Sequence, residues 1–311
     1  METVHVPVLL AEAVASLNCQ AHGIYVDATV GSGGHAFKIL DDNPDIKTLI
    51  ALDWDSNAIQ QARRRLERFS EKLCIIQDNF ISLRSILLRL SIHKVNGILI
   101  DLGVSSQQLE DPERGFSFKL KGPLDMRMDT TLPTTAFDVV NNCTVDELHY
   151  ILHTYGEERW ASRIARTIIA RRTKEPIADT IALSTLVTSS IPPRYRSRTI
   201  HPATRTFQAL RIAVNHELDN LKLMIGEGID LLAAGGRISI IAFHSLEDRV
   251  VKQEFKRRAS GYEQGAVFSP LHLMRPPTIK IITKKPITPQ PEEIRHNLRA
   301  RSAKLRVAEK I

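Results

Sequence analysis

The sequence predicts an α/β protein whose parallel sheet is interrupted by a helical insertion. Three observations carry that prediction. Short apolar β-type runs alternate with helix-patterned stretches over the first hundred residues, the alternation stops after Asp101, and a strongly β-type run returns at Arg237–Phe243. Strands and helices alternating at this spacing build parallel sheets with right-handed crossovers. A chain of 311 residues also exceeds what one hydrophobic core usually organises, so an insertion or a second domain is expected.

The elements follow in order. Ile24–Asp27 reads as a strand, followed by a glycine-rich turn and an apolar-periodic stretch around Ala36–Leu40. Thr48–Asp53 is a second short strand, and Ala58 to Phe69 is an arginine-rich helix. Leu73–Ile76 is a third strand, a helix lies near Leu83–Leu90, and Gly97–Asp101 is a fourth strand. Residues 102–135 hold Gly, Pro, Ser and charges with little periodicity, which predicts a long loop, either functional or disordered. On it, Arg114, Asp125, Arg127 and Asp129 either close over a site or pair with one another. Thr144 to Glu147 has the capping-box spacing that opens a helix. Two more helices are expected over Glu157–Arg172 and about Thr180–Ser189. Apolar residues at 207, 210, 214, 218 and 221 predict one long amphipathic helix. Gly235 and Gly236 are expected to end a further helix before the strand, and five prolines between Pro276 and Pro291 predict an extended C-terminal stretch. The expected division is 1–106 and 203–285 as two parts of the core, 107–202 as the inserted loop and helical domain, and 286–311 as a basic tail.

Composition excludes several classes. Apolar residues make up 43% and charged residues 25% of the chain, ordinary for a globular protein and wrong for a disordered or collagen-like one. No apolar run is long enough for a bilayer. Glu2 and Glu12 stand where a secretory signal would need a basic start, so no such signal is expected. Cys19, Cys74 and Cys143 are isolated, with no metal-ligand spacing, which points to a reducing, cytoplasmic compartment.

Net charge is +7, but it is localised. Residues 275–311 carry ten basic and three acidic side chains, and residues 156–211 carry eleven and four. Two separated basic segments suggest a polyanionic partner.

The first strand–helix turn, Asp27 to Ala36, contains Gly31, Gly33 and Gly34, and Asp53 ends the second strand 22 residues after Gly31. Glycines permit a tight turn and close backbone approach at a helix start, and a strand-end carboxylate can accept bonds from ribose hydroxyls. A dinucleotide and S-adenosylmethionine both fit this pair, and Gly31-x-Gly33-x-x-Ala36 satisfies the dinucleotide pattern. Asp27 favours S-adenosylmethionine, because it would repel a pyrophosphate and tolerate an ammonium or sulfonium. Asp78, Asn79 and Phe80 supply polar groups and an aromatic face for an adenine, although Phe80 also suits the core.

Longer blocks go further. His5–Leu10, Asp27–His35, Asp101–Ser106, Glu113–Phe118, Pro123–Asp129, Tyr155–Glu158, His201–Gln208, Phe243–Arg249 and Arg299–Ser302 span nearly the whole chain. Together the sequence resembles the RsmH (MraW) family, which methylates the exocyclic N4 of a cytidine in the decoding centre of bacterial 16S ribosomal RNA using S-adenosylmethionine. The resemblance implies a Rossmann-like, S-adenosylmethionine-dependent methyltransferase sheet with an inserted helical domain. It implies cofactor contacts at Gly33, Gly34, His35, Asp53, Phe80, Asp101 and Gln108. Two positions depart from the family pattern: Gln107 stands where the family often has Pro, and Leu298 replaces the usual Pro of the tail motif.

Asp101 and His244 are the candidate catalytic residues. Asp101 ends the fourth strand, where a parallel sheet places its ligand crevice, and can contact the cofactor, the amino group or both. His244 follows the last strand and is a candidate for cytosine recognition or proton handling, or else a structural histidine. Arg205, Arg249, Arg299 and Arg301 are the candidate contacts to 16S rRNA within the small ribosomal subunit, with no metal and no membrane expected. Two rivals remain: a nonenzymatic rRNA-binding or ribosome-assembly protein with a similar fold, and a dinucleotide oxidoreductase.

Overall fold

The computed structural model describes residues 7–197, 199–260 and 276–311. His5, Val6, Arg198 and the 261–275 segment of the expected second core part lie outside them. The chain divides into two compact units, Met1–Gly103 with Leu218–Ile311, and Val104–Glu217.

The first unit is built on a seven-stranded sheet. In chain order its strands are β1 (Ile24–Asp27), β2 (Thr48–Asp53), β3 (Leu73–Gln77), β4 (Val95–Asp101), β5 (Leu232–Ala242), β6 (Ile279–Ile281) and β7 (Lys304–Lys310). The spatial order is β3-β2-β1-β4-β5-β7-β6. The first five strands are mutually parallel, and β7 runs antiparallel to both β5 and β6. The order reverses between β1 and β4, which makes the carboxyl ends of these two strands the topological switch point where open α/β sheets bind ligands.

Strand composition explains the double-sided burial. A sheet covered on both faces needs apolar residues at consecutive positions rather than at alternate ones. In β2, Ile50 and Leu52 face one core with Val26, Ile98 and Ile240, while Leu49 and Ala51 face another with Tyr25 and Leu99. Helices Leu83–Arg89, Glu217–Leu231 and Ser245–Ser260 contribute to the first core, and Leu10–Leu17, Gly34–Asp42 and Ser56–Arg65 to the second.

Two expectations about this unit change. β5 begins at Leu232, so Gly235 and Gly236 lie within the strand, at the register irregularity opposite Val95 and Gly97. The basic C-terminal stretch is not a tail laid over the surface. Leu305, Val307 and Ala308 of β7 are buried, and β7 fills the place between β5 and β6. Two of its basic side chains are neutralised locally, since Arg306 Nε lies 2.6 Å and Lys304 Nζ 3.1 Å from the Asp248 carboxylate.

The second unit is mostly helical, with helices Ser106–Glu110, Ala136–Asn142, Val145–Thr154, Ala161–Arg172, Thr180–Ser190 and Thr204–Asn215. It extends to Glu217, beyond the boundary at 202 expected from sequence. Thr144 and Glu147 form the expected capping box, and Thr135 with Asp138 forms another. Gly156 is required by close approach, because a Cβ there would meet the Leu152 carbonyl at 2.6 Å and the Arg205 carbonyl at 2.8 Å. The long helix expected from Phe207 is two, broken at His216, which takes a left-handed conformation with φ 51°. The preceding Asn215 is buried, accepts from the Met128 N–H and donates to the Met126 carbonyl, each at 2.7 Å. The loop before it is likewise pinned. Arg127 makes a two-pronged ion pair with Asp125 at 2.7–2.9 Å, and Arg114 donates to the carbonyls of Arg127 and Met128. Arg127 and Asp125 thus pair internally, the second of the two expected readings, while Asp129 accepts from the Thr131 N–H and hydroxyl.

Candidate active site

The site of the first unit is a row of carboxylates along the carboxyl ends of β1, β2 and β4. Between β1 and helix Gly34–Asp42, Gly31 and Gly33 adopt φ of +51° and +84°, values that favour glycine. The Gly31 N–H donates to Asp53 Oδ2 at 2.9 Å, and the Asp55 N–H donates to Oδ1 at 3.0 Å. Asp53 therefore pins the glycine turn. Each of its oxygens keeps a second lone pair for a ribose hydroxyl.

The three glycines have different reasons. A Cβ on Gly33 would point at the Leu66 side chain, 3.2 Å away, and one on Gly34 would strike Pro7 at 2.2 Å. These two serve the packing of the turn against its own unit. A Cβ on Gly31 would meet nothing within 4 Å. Gly31 is thus the glycine whose neighbouring space is open to a ligand, a distinction that the motif spacing alone does not make.

Asp27 and Asp101 are the acidic centre. Asp27 is 1% exposed, with Oδ1 accepting from the Thr29 N–H at 3.2 Å and Oδ2 lacking a hydrogen-bond partner among the described residues. The Asp101 side chain is 19% exposed, and its Oδ1 likewise lacks a partner there. Its backbone N–H donates to Thr29 Oγ1 at 2.6 Å, tying the end of β4 to the turn after β1. Burial, reinforced by the nearby Asp53 charge, pushes the Asp27 carboxyl up to about 7. Burial also raises Asp53, to about 6. Asp101 is driven well above the usual carboxylate range by burial and then by the charges of Asp27 and Glu247.

His35 braces this centre rather than lying open. It is 5% exposed. Its Nε2 lies 3.1 Å from the Val8 carbonyl, and Nδ1 lies 3.7 Å from Asp101 Oδ2. A carbonyl can only accept, so Nε2 carries the proton and Nδ1 is turned toward Asp101. His244 follows β5 and accepts the Glu247 N–H at Nδ1, at 3.3 Å. Its Nε2 stands 3.1 Å from Glu247 Oε1, off the hydrogen-bond axis, and is without a hydrogen-bond partner among the described residues. Glu247 Oε2 accepts the N–H groups of Phe243 and His244.

Phe80 is 8% exposed and packs into the sheet core. The half-buried Trp54 stands beside it, ring centroids 6.0 Å apart. Trp54 follows Asp53 directly, so an aromatic ring next to a strand-end acid is a signal in the sequence that the sequence reading missed. Thr29, inside the glycine motif, is the other contributor that sequence reasoning missed.

The structure therefore brings Gly33, Gly34, His35, Asp53 and Asp101 together, with Phe80 beneath Trp54 and His244 held by Glu247. Gln108 and Arg205 belong to the other unit. There Gln108 is buried, its Oε1 accepting from the Ser105 N–H at 3.0 Å, and Arg205 donates to the Glu157 carbonyl at 2.9 Å. Arg249, Arg299 and Arg301 are exposed.

Buried carboxylates with open lone pairs suit a cation and oppose a pyrophosphate, whose charge would meet Asp27, Asp53 and Asp101 at close range. The residues fit the sulfonium and ammonium of S-adenosylmethionine and disfavour the dinucleotide. Comparison with known proteins agrees. Residues 2–311 match the profile described as the MraW methylase family. The chain belongs to that family. It is 48% identical over 307 residues to ribosomal RNA small subunit methyltransferase H of Syntrophus aciditrophicus, covering 99% of this chain and 98% of that one. The proteins of the same name from Carboxydothermus hydrogenoformans and Clostridioides difficile are 47% and 45% identical, over at least 99% of each chain. Membership makes this chain an S-adenosylmethionine-dependent methyltransferase. No helix among the described residues is long and apolar enough to cross a membrane.

Proposed function

We propose that the protein methylates the exocyclic N4 of a cytidine in the decoding centre of 16S ribosomal RNA, within the small subunit and in the cytoplasm. The observation that carries this reading is the pair of buried, unpartnered carboxylate oxygens, Asp27 Oδ2 and Asp101 Oδ1, beside the glycine turn in a chain of this family. Bound S-adenosylmethionine supplies an electrophilic methyl group. Asp53 holds the ribose, the turn at Gly31 admits the cofactor, and Asp27 offsets its positive charge.

The N4 lone pair of cytosine is delocalised into the ring, so the chain must orient the amino group and accept its protons. Asp101 Oδ1 provides the acceptor. A carboxylate whose proton affinity is raised by burial and by neighbouring acids is a stronger base than an ordinary aspartate, which suits it to take the proton that the amino nitrogen loses. The buried His35 ring walls the site beside Asp101, its Nδ1 3.7 Å from Oδ2, and His244 is held at the end of β5 by Glu247. A decoding-centre cytidine must first be unstacked to reach such a site.

The test is incubation with methyl-labelled S-adenosylmethionine and either naked 16S RNA or assembled small subunits, followed by nucleoside analysis. N4-methylcytidine is the expected product; no transfer to either substrate, or transfer to another atom, defeats the reading. Asp101→Asn removes the charge and turns one edge into a donor, and should slow single-turnover transfer by about 10²–10⁴-fold with little change in cofactor affinity. If affinity falls instead and saturating cofactor restores the rate, Asp101 serves the cofactor.

A further inference from the structure

The arginines of the helical unit fall into two groups that the methyl-transfer chemistry leaves unexplained. Arg171 pairs with Glu175 at 2.8 Å, Arg172 donates to the Val140 and Cys143 carbonyls, and Arg211 pairs with Glu217 at 2.8 Å. These serve the fold. Arg159, Arg163, Arg166 and Arg194 are all exposed, and none has an ion-pair partner among the described residues. Arg163 and Arg166 are three apart on helix Ala161–Arg172 and share one side of it, while Arg159 stands at the helix entry next to Trp160. The adjacent Glu158 does not neutralise them, because it is buried and accepts the Trp160 N–H at 2.9 Å.

Beside that helix entry lies an aromatic platform. The rings of Trp160 and Tyr195 are 5.3 Å apart, and the Arg194 guanidinium lies 4.7 Å from the Tyr195 ring centroid. Tyr195 closes a 3-10 turn that starts at Pro193, after Pro192, so proline limits the backbone freedom that binding would have to remove. Braced in this way, Tyr195 is still 56% exposed. A rigid, open aromatic flanked by unpaired arginines has the chemistry that grips unpaired nucleotides: bases stack on the ring and phosphates meet guanidinium groups.

We infer that Arg159, Arg163, Arg166, Arg194 and Tyr195 form a surface for single-stranded RNA, phosphates on the arginines and one base on Tyr195. As the substrate grip of the enzyme, this surface rests on the rRNA reading above. Duplex RNA fits it less well, since paired bases offer no face to Tyr195.

Binding of the full-length protein to a labelled single-stranded RNA oligonucleotide tests the surface, measured by anisotropy across a salt series. Arg159→Gln, Arg163→Gln and Arg166→Gln combined should make the plot of log affinity against log salt shallower by about 2, at about 0.7 per phosphate contact. Tyr195→Ala should weaken binding by about tenfold, the loss of one stacked base, and Tyr195→Phe should retain it. Melting temperature and cofactor affinity should not move, because the altered side chains are exposed. With small subunits as substrate, both defective variants should raise KM and leave kcat at saturation. An unchanged slope together with unchanged Tyr195→Ala affinity overturns the inference. So does a defect seen with whole subunits and absent with the oligonucleotide, which would assign this face to a ribosomal protein. If the wild-type protein transfers no methyl to rRNA while the oligonucleotide effects appear, the functional reading fails and the RNA surface stands.

Discussion

The two units handle charge in opposite ways. In the sheet unit, the charges of the candidate site are carboxylates at strand ends, buried as at Asp27 or half-buried and held by backbone N–H groups as at Asp53. In the helical unit the unspent charges are arginines, exposed and unpaired, as at Arg159, Arg163 and Arg166. A buried charge interacts strongly and must be positioned to within a hydrogen bond, whereas an exposed one acts at longer range and is screened by salt. On the readings proposed above, one unit holds a small cation in a fixed pose and the other attracts a large polyanion.

The sharpest way to break this comparison is to move the basic C-terminal segment from one category to the other. If its charges were a surface tail, deleting Lys304–Ile311 would weaken RNA binding and leave the cofactor site intact. The structure requires the reverse. Deletion removes the buried Leu305 and Val307, about 1.5–3 kcal/mol each, strips β5 of its antiparallel neighbour and leaves Asp248 without Arg306 and Lys304. Against a total stability of about 5–15 kcal/mol, the truncated chain should fail to fold. Loss of near-ultraviolet circular dichroism and of cofactor binding checks this; a folded, cofactor-binding product would restore the tail reading.

The second expected effect concerns pH. Asp27 and Asp53 have folded-state values raised to about 7 and about 6, above the ordinary aspartate value near 4. At these two groups the empty folded state therefore binds more protons than the unfolded chain, and the stability they contribute is fully present below about pH 4 and is lost as pH rises through 4 to 7. A bound cation favours the ionised carboxylates, so cofactor affinity should rise with pH over the same range, by up to about tenfold per unit below 7. Calorimetry from pH 5.5 to 8, in buffers of different ionisation enthalpy, should show proton release on binding at pH 6–7. Asp27→Asn should flatten the slope. A flat wild-type profile would mean that Asp27 stays protonated with cofactor bound.

Next in size is the contrast within the glycine turn. Gly33→Ala places a Cβ 3.2 Å from Leu66 at φ +84°, and should cost about 1–2 kcal/mol of stability, as for a non-glycine residue in that region. Gly31→Ala carries a similar backbone cost without the contact, but its Cβ enters open space beside Asp53. Melting should therefore fall more for Gly33→Ala, and cofactor affinity more for Gly31→Ala. Equal affinities for the two variants would place the cofactor away from Gly31.

What was legible in the sequence follows from the range of the interactions. β1, β2 and β4 were readable because a doubly covered strand needs consecutive apolar residues, a local property. The Thr144 capping box and the Gly31–Gly33 turn are local as well. β7 was not, because Lys304–Lys310 alternates charged and apolar residues and looks like a basic tail until Asp248 is seen to neutralise two of the charges from a distant helix. The break at His216 was hidden for a similar reason: the apolar stripe runs through it, and what terminates the helix is the pull of the Met126–Met128 loop on Asn215. At the candidate site, Asp53 and Asp101 were readable as strand-end acids. The brace from His35 to the Val8 carbonyl has no sequence signal, since a backbone acceptor carries no residue identity.

The smallest effect decides whether the division of labour between the units is complete. Arg299 and Arg301 are exposed on the 3-10 turn Leu298–Ser302 of the sheet unit, next to the strand whose Arg306 is already neutralised. If they meet RNA, Arg299→Gln with Arg301→Gln should make the salt dependence shallower by about 1.4, at about 0.7 per phosphate. That is less than the change expected from the three arginines of the helical unit, and stacking adds little because the segment 284–311 holds no Phe, Tyr or Trp. Folding should be untouched, since neither side chain is buried. A double variant with the wild-type slope would confine the polyanion contact to the helical unit and make the exposed arginines of the turn ordinary solvated surface. A change as large as that of Arg159, Arg163 and Arg166 together would mean that the substrate is gripped by both units alike, and that the contrast between a cation-holding sheet and an anion-holding insertion holds only at the buried site.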